Sequence, residues 1–386
     1  MLSQAISLNL PRKVYRAAVG AVFFLYGLCF ATWASRIPNI QQSLHLSDSA
    51  LGGVLFTLPV GLMLSLPLAG FLISRFGSRK ILIFGVIVYS VTLVTLGLAT
   101  NVWQLVAGLL FFGLAGNLVN ISVNTQAVGV EALYDKTIMA SFHGLWSLAG
   151  FTGAAIGTFM MGQGVFPYKH FLLIMTVAII VLLISSRFIL QDDAKKESSQ
   201  QPLFAMPDKS LLTLGLIAFC SMICEGAMFD WSGVYFKKVV HAEDGWTGAG
   251  YTAFMATMAF GRFIADWFTS KFGLKRTLQI SGTLTATGLM IAVFFPNLVT
   301  AIIGFLLVGL GVSSVVPLVY SAAGKSKVMS AGVALAAVST IGFLGFLAGP
   351  PLIGLVAGAT SLKISFFIIA FMGMAVTLLA GRKISV

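Results

Sequence analysis

GFLISRFGSRK, residues 70–80, closes an apolar run with an aromatic residue, a glycine and basic side chains. KFGLKR, residues 271–276, closes another apolar run with the same chemistry, Lys271 standing 196 positions after Arg75. The aromatic residue packs, the glycine can take the αL backbone that a tight helix-to-helix turn needs, and the basic groups cannot enter hydrocarbon. One basic glycine turn is common between membrane helices. Two in register mark an internal duplication.

The surrounding chain of 386 residues is 58% hydrophobic and 9% charged, with a mean hydropathy of +0.97. Soluble domains are roughly 45–50% apolar. Runs of about 20 apolar residues, long enough to cross a hydrocarbon core of about 30 Å, recur throughout and exclude a soluble enzyme with a single anchor. Twelve are expected, over about 15–36, 48–73, 80–99, 102–128, 138–161, 169–190, 211–235, 247–270, 275–295, 298–321, 328–356 and 362–381. Nothing in a bilayer core satisfies open backbone groups, so segments of this length are helices, not barrel strands. The expected architecture is an all-α membrane protein. The polar stretch QDDAKKESSQQPLFAMPDKS, residues 191–210, divides it into bundles of six helices at 1–190 and 211–386.

The first 16 residues, MLSQAISLNLPRKVYR, lack a small-residue cleavage signature and read as a cytosolic tail. With that orientation 18 of the 24 Lys and Arg residues face the cytosol. Arg36, Lys169, Lys237, Lys238 and Lys363 face outward, and Arg262 lies within a span. This is the positive-inside pattern. The net charge of +12 therefore reports topology, with both termini cytosolic, and not a nucleic-acid partner. Cys29, Cys220 and Cys224 fall within spans and lack further ligands nearby, so neither a metal nor a cofactor is expected.

On these residues the chain resembles the major facilitator superfamily over essentially its whole length. Gly70, Arg75, Gly77, Arg79 and Lys80 match that superfamily's loop signature after the second helix, and Gly273 stands in the second copy. The departure is Ser74, where the superfamily usually has Asp; Ser270 holds the equivalent place, and Asp266, one turn earlier, can supply the missing charge. ATWASRIP (31–38), SFHGLWSLAG (141–150), EGAMFDWSGVY (225–235) and FLAGPPLIG (346–354) resemble a subgroup of bacterial permeases that includes the MosC and YbjJ proteins. The resemblance implies two six-helix bundles rocking about a central cavity, in a protein complete as a monomer in the bacterial inner membrane. It supplies no substrate.

Ionisable groups inside a bilayer usually face a cavity or a partner. Glu225 lies roughly 21 Å along the seventh helix, slightly beyond its middle. There it either exchanges protons as water reaches it from alternate sides, making it the coupling site, or joins two helices through a hydrogen bond. His143 titrates in a useful range and either relays protons or bonds a neighbouring helix. Asp230, about 28 Å along, is expected near the outer surface. Arg36 ends the first helix at similar depth, so an Arg36 to Asp230 contact is expected as the outer gate in an inward-open state; snorkelling to the interface is the alternative. Trp33 and Trp231 line the outer cavity or belong to an interfacial belt.

Arg262 keeps its charge and must find an acceptor. A carboxylate substrate suits it, and so does Asp266, four residues along, which is the favoured partner. Asn117, Asn120 and Asn124 stack three amides on one helical face, either to bind a hydroxyl-rich or amide-bearing solute or to act as glue between helices. Glycines and Pro350 and Pro351 in the eleventh span permit close packing or a hinge.

The preferred function is a secondary active transporter, a proton symporter importing a small polar solute such as a sugar derivative or related metabolite. A proton-driven efflux antiporter of amphipathic compounds, an uncoupled facilitator and a transporter-like sensor use the same helices. Enzymatic activity is not expected: no Ser, His and Asp grouping, phosphate loop or metal spacing stands out.

Overall fold

A computed structural model describes residues 11–135, 138–191, 209–326 and 331–382. Its helices are α1 (Arg12–Ser43), α2 (Asp48–Phe76), α3 (Ser78–Gly97), α4 (Val102–Glu131), α5 (Met139–Gly162) and α6 (Pro167–Ser185). The second half supplies α7 (Lys209–Lys238), α8 (Ala249–Phe294), α9 (Leu298–Val312), α10 (Val315–Ala323), α11 (Ala331–Ala359) and α12 (Leu362–Gly381). No strand occurs among the described residues. Most of the linker expected at 191–210 lies outside them, as do Lys136, Lys195, Lys196, Lys327 and Lys383 and the side chain of Asp266.

Eleven of these segments are long and apolar enough to cross a membrane. Gly273 divides the long α8 into two arms, and α9 with α10, parted at Ser313 and Ser314, replaces one expected span. Twelve crossings result. Most helices overrun the hydropathy spans, α1 reaching Ser43 and α7 reaching Lys238. Hydropathy marks only the part of a helix that lies in lipid, whereas backbone hydrogen bonds continue beyond it.

The duplication extends into side-chain geometry. Gly77 (φ 82°, ψ 151°) and Gly273 (φ 77°, ψ 160°) share one backbone conformation. The positive φ expected of a glycine turn is present, but ψ places both in the extended glycine-only region and not in αL. Arg75 lies over the rings of Phe71 and Phe76, and Lys271 over those of Trp267 and Phe272. Ser74 donates to Phe71 O (2.8 Å) and Ser270 to Trp267 O (2.7 Å). Asn101 and Asn297 cap α4 and α9 by accepting from Gln104 N and Thr300 N. A Cβ on Gly113 would lie 3.0 Å from Leu62 N, and one on Gly309 3.1 Å from Met258 N. Every pair repeats the 196-residue offset of the opening motif. Replacing Gly77 or Gly273 by Ala is expected to destabilise each turn by about 1–3 kcal/mol, read as a lowered unfolding temperature in detergent; an unchanged temperature would show that the turn relaxes.

Close approach of Cα atoms divides the described fold into two compact units. The first is Met1–Trp33, Thr57–Gly153 and Phe166–Glu197; the second is Ala34–Phe56, Ala154–Val165 and Ser198–Val386. The ends of α1, α2 and α5 thus pack with the second half of the chain. Within the first unit, buried Gln126 joins three segments: its Nε2 donates to Ser78 Oγ (2.7 Å) and Leu190 O (3.2 Å), and its Oε1 accepts from Leu190 N (2.9 Å).

Candidate functional site

Apolar residues around Glu225 keep α7 unbroken for 30 residues, carrying the carboxylate deep into the second unit. Its Oε1 lies 3.5 Å from Nη2 of Arg262 on α8. The side chains are 14% and 21% exposed respectively. Tyr251 of α8 is buried and interacts electrostatically with both Glu225 and Asp230; Tyr320 of α10 interacts with Glu225 and hydrogen bonds Ser339. Glu225 thus pairs with one guanidinium and interacts with two phenols. The described contact of Arg262 runs across to α7; the Arg262 to Asp266 pair favoured by spacing falls on a side chain outside the described residues.

Asp230 is 9% exposed and Trp231 is fully buried. Since α7 continues to Lys238, Asp230 lies about 12 Å inside the helix end and not near a surface. Arg36 is also buried and donates to Asn39 Oδ1 (3.2 Å) and Val165 O (2.9 Å). Among the described residues no ion pair joins Arg36 to Asp230. Both of these described acceptors are neutral oxygens.

Other groups join the two halves of the sequence at this end of the second unit. Lys238 Nζ lies 2.5 Å from Asp48 Oδ1, which also accepts from Gln41 Nε2 (2.8 Å). Ser49 Oγ donates to Gly354 O (3.3 Å), and the hydroxyls of Thr158 and Thr252 are 3.0 Å apart. Glycines set the spacing. A Cβ on Gly354 would lie 2.7 Å from both Asp48 O and Gly52 Cα, and one on Gly233 2.7 Å from Pro38 Cγ. On the same α11, a Cβ on Gly342 would meet Met222 Sδ at 3.0 Å. The glycines of α11 therefore serve close packing against α2 and α7, while the helix runs through Pro350 and Pro351.

The remaining sequence candidates lie in the first unit. Asn124 Nδ2 donates to Asn120 O (2.8 Å) and Oδ1 (3.0 Å), so the Asn124 amide is tied back to Asn120 within the stripe. Asn117 is buried, and its Nδ2 has no hydrogen-bond partner among the described residues. His143 is exposed and meets the Phe23 ring edge-on at 5.5 Å. Trp33 is as deeply buried as Trp231, so neither belongs to an interfacial belt; Trp103, Trp246 and Trp267 are the exposed indoles.

The sequence pattern of the Major Facilitator Superfamily matches residues 19–328 and 245–384. The chain belongs to the major facilitator superfamily. It is 33% identical over 369 residues to an uncharacterised MFS-type transporter of Yersinia pestis, covering 96% of this chain and 95% of that one. It is 32% identical over 366 residues to the membrane protein MosC of Rhizobium meliloti, covering 94% and 88%. The crystal structure of the nucleoside transporter NupG superposes with a TM-score of 0.74 at 14% identity, over 96% of this chain and all of that one. The fold is that of superfamily transporters, and the protein is a membrane transporter.

Of the superfamily loop residues, Arg79 reaches beyond its own helix: Nη2 donates to Ser186 O (2.8 Å) and Nη1 to Gln191 Oε1. Gly70 and Lys80 are exposed. Ser74 and Ser270 bond back to their own helices and take no part in a charged lock. In this transporter, sequence reading missed Tyr251, Tyr320, and the Asp48 to Lys238 pair. A polar side chain in an apolar span was the available signal for the tyrosines. Nothing local marks Asp48, which lies at a helix start as many capping acids do.

Proposed function

We propose that the protein is a proton-coupled secondary transporter that imports a small polar solute, a sugar derivative or related metabolite, by alternating access. Glu225 is the coupling group. The supporting observation is its ion pair with Arg262: both charges lie within membrane-length helices, hold each other, and keep some exposure. A carboxylate that meets water can take up a proton, and doing so removes its attraction for the guanidinium.

In this reading the protein acts as a monomer of two six-helix halves in a bacterial inner membrane, with residues 191–210 as the cytosolic linker. The Asp48, Lys238 and Gly354 seam then closes the outer face. Arg36 and Asp230 remain candidates for an outer gate that changes partners between states, and His143 for proton relay. Asn117, Asn120, Asn124, Trp33, Trp231 and Arg262 are the proposed solute contacts, Asn117 having a buried amide donor to offer.

A thermal-shift screen against sugars, polyols, amino acids, nucleosides and organic acids finds the solute, since a ligand of the folded state raises apparent stability. In proteoliposomes an inward proton gradient is expected to drive its accumulation. Glu225→Gln abolishes accumulation while counterflow exchange persists. Equilibration without accumulation, unaffected by that substitution, would instead identify an uncoupled facilitator.

A further inference from the structure

We propose that the groove between α1, α5 and α6 holds one anionic phospholipid, an acyl chain lying along the groove and the phosphate held by Lys13 and Arg16. The site lies wholly within the first unit and stands apart from the cargo and the coupling group.

The groove has a volume of about 360 Å³ and is lined by Ala17, Ala21 and Leu28 of α1, Leu145 of α5, and Val177 and Val181 of α6, among others. Every lining residue is apolar or glycine. Such a cavity offers water no hydrogen bond, whereas a hydrocarbon chain fills it with contacts. Ala17 and Leu28 stand about 17 Å apart along α1, and one leaflet of hydrocarbon is about 15 Å deep. The groove thus runs the depth of one leaflet, the dimension of a lipid chain and not of a small solute.

The end of the groove nearest the start of α1 is basic. Lys13 precedes Ala17 by one turn on the same face of the helix, is exposed, and has no contact among the described residues. Arg16 is half-buried and donates to Ser141 Oγ (3.1 Å) at the start of α5. One turn further in, a Cβ on Gly20 would lie 2.8 Å from Leu145 Cδ1. The Arg16 contact therefore ends the wall that α1 and α5 make together. Long side chains lean toward the N-terminus of their helix, which carries both cations toward the headgroups.

The neighbouring acids are engaged elsewhere. Asp135 lies 3.7 Å from Arg12, and Glu131 accepts from the backbone N of Ile138 and of Met139. The other described neighbour of Arg16 is the Tyr134 ring. Among the described residues neither Lys13 nor Arg16 has an acidic partner. Two cations at the end of an apolar groove complement a phosphate that carries an acyl chain, and basic pockets between membrane helices bind anionic headgroups in this way. A zwitterionic lipid brings its own cation and gains less.

The test uses the full chain purified in non-ionic detergent and titrated with dioleoyl phosphatidylglycerol, dioleoyl phosphatidylcholine or glycerol phosphate, bound molecules being counted by native mass spectrometry. The expected result is one phosphatidylglycerol per chain, held at least about tenfold more tightly than phosphatidylcholine, and no binding of glycerol phosphate. Replacing Lys13 or Arg16 by Gln should weaken phosphatidylglycerol about fivefold each. Lys169→Gln, at the opposite end of α6, should leave it unchanged. Ala17→Trp fills the groove from an exposed position and should weaken both lipids. If Arg16→Gln fails to fold, the exposed Lys13→Gln gives the same readout. Equal retention of the two lipids, retention untouched by Lys13→Gln or by Ala17→Trp, or tight binding of glycerol phosphate alone overturns the inference. So does a change from dimer to monomer in Ala17→Trp with lipid binding unchanged, which would put a second copy of the chain in the groove.

Discussion

Alanine at Gly354 is expected to open the seam between α2 and α11. Its Cβ would lie 2.7 Å from Asp48 O, 2.7 Å from Gly52 Cα and 3.0 Å from Gly52 N, all backbone atoms. No flexible side chain can move aside, so the helices themselves must separate. Overpacking of this kind costs about 1–3 kcal/mol, which corresponds to a shift of roughly 5- to 150-fold in a two-state population. Ser49, which donates to Gly354 O, offers the probe. With the native cysteines replaced by Ser, a thiol at Ser49→Cys should react slowly with a polar maleimide in the parent and faster by about that factor when Gly354→Ala is added. Equal rates would mean that the seam is already open for much of the time. Gly52→Ala meets the same backbone from the other helix and should act alike.

The second large effect concerns Arg262→Leu. It leaves the Glu225 carboxylate in an apolar span without its cation. Breaking a buried pair costs about 3–5 kcal/mol, and the partial exposure of both side chains puts this one at the lower end, about 3 kcal/mol. The penalty should shrink as pH falls, because a protonated Glu225 needs no cation. Glu225→Gln combined with Arg262→Leu removes both charges and should recover most of the loss. A double-mutant cycle, read from unfolding temperatures in detergent across pH 5 to 8, isolates the coupling, expected at about 1–3 kcal/mol. Additive single effects at every pH would show that the contact contributes nothing.

The exposed ion pairs should matter much less. Lys237 with Asp244 and Arg12 with Asp135 are open to solvent, where such pairs contribute about 0–1 kcal/mol. Asp48 with Lys238 differs because Asp48 also bonds Gln41, and the three side chains join α1, α2 and α7. Its importance lies in where it joins the helices.

Spans, duplication and the motif turns could be read from the amino-acid order because each is a local consequence of solvent. A run of apolar residues answers to lipid wherever it lies, and RFGSRK repeats as KFGLKR because a glycine turn with basic flanks solves the same problem twice. The resemblance of those turns then identified the superfamily. The choice of Glu225 and Arg262 as pathway candidates was equally local, resting on the expense of charge in hydrocarbon.

Partners were not legible in the same way. Arg262 meets Glu225, 37 positions earlier, and Arg36 bonds Val165 O, 129 positions later. Trp33 and Trp231 look like belt residues beside charges, but helix packing buries them. Asn120 and Asn124, candidates for solute binding, bond each other.

The sequence by itself determined that the chain spans a membrane as helices in two related halves, because hydropathy and repetition act residue by residue. Only the tertiary structure decided which acid holds which arginine and which glycines meet across helices. Those depend on the rotation and depth at which one helix packs on another, and many distant side chains set that together.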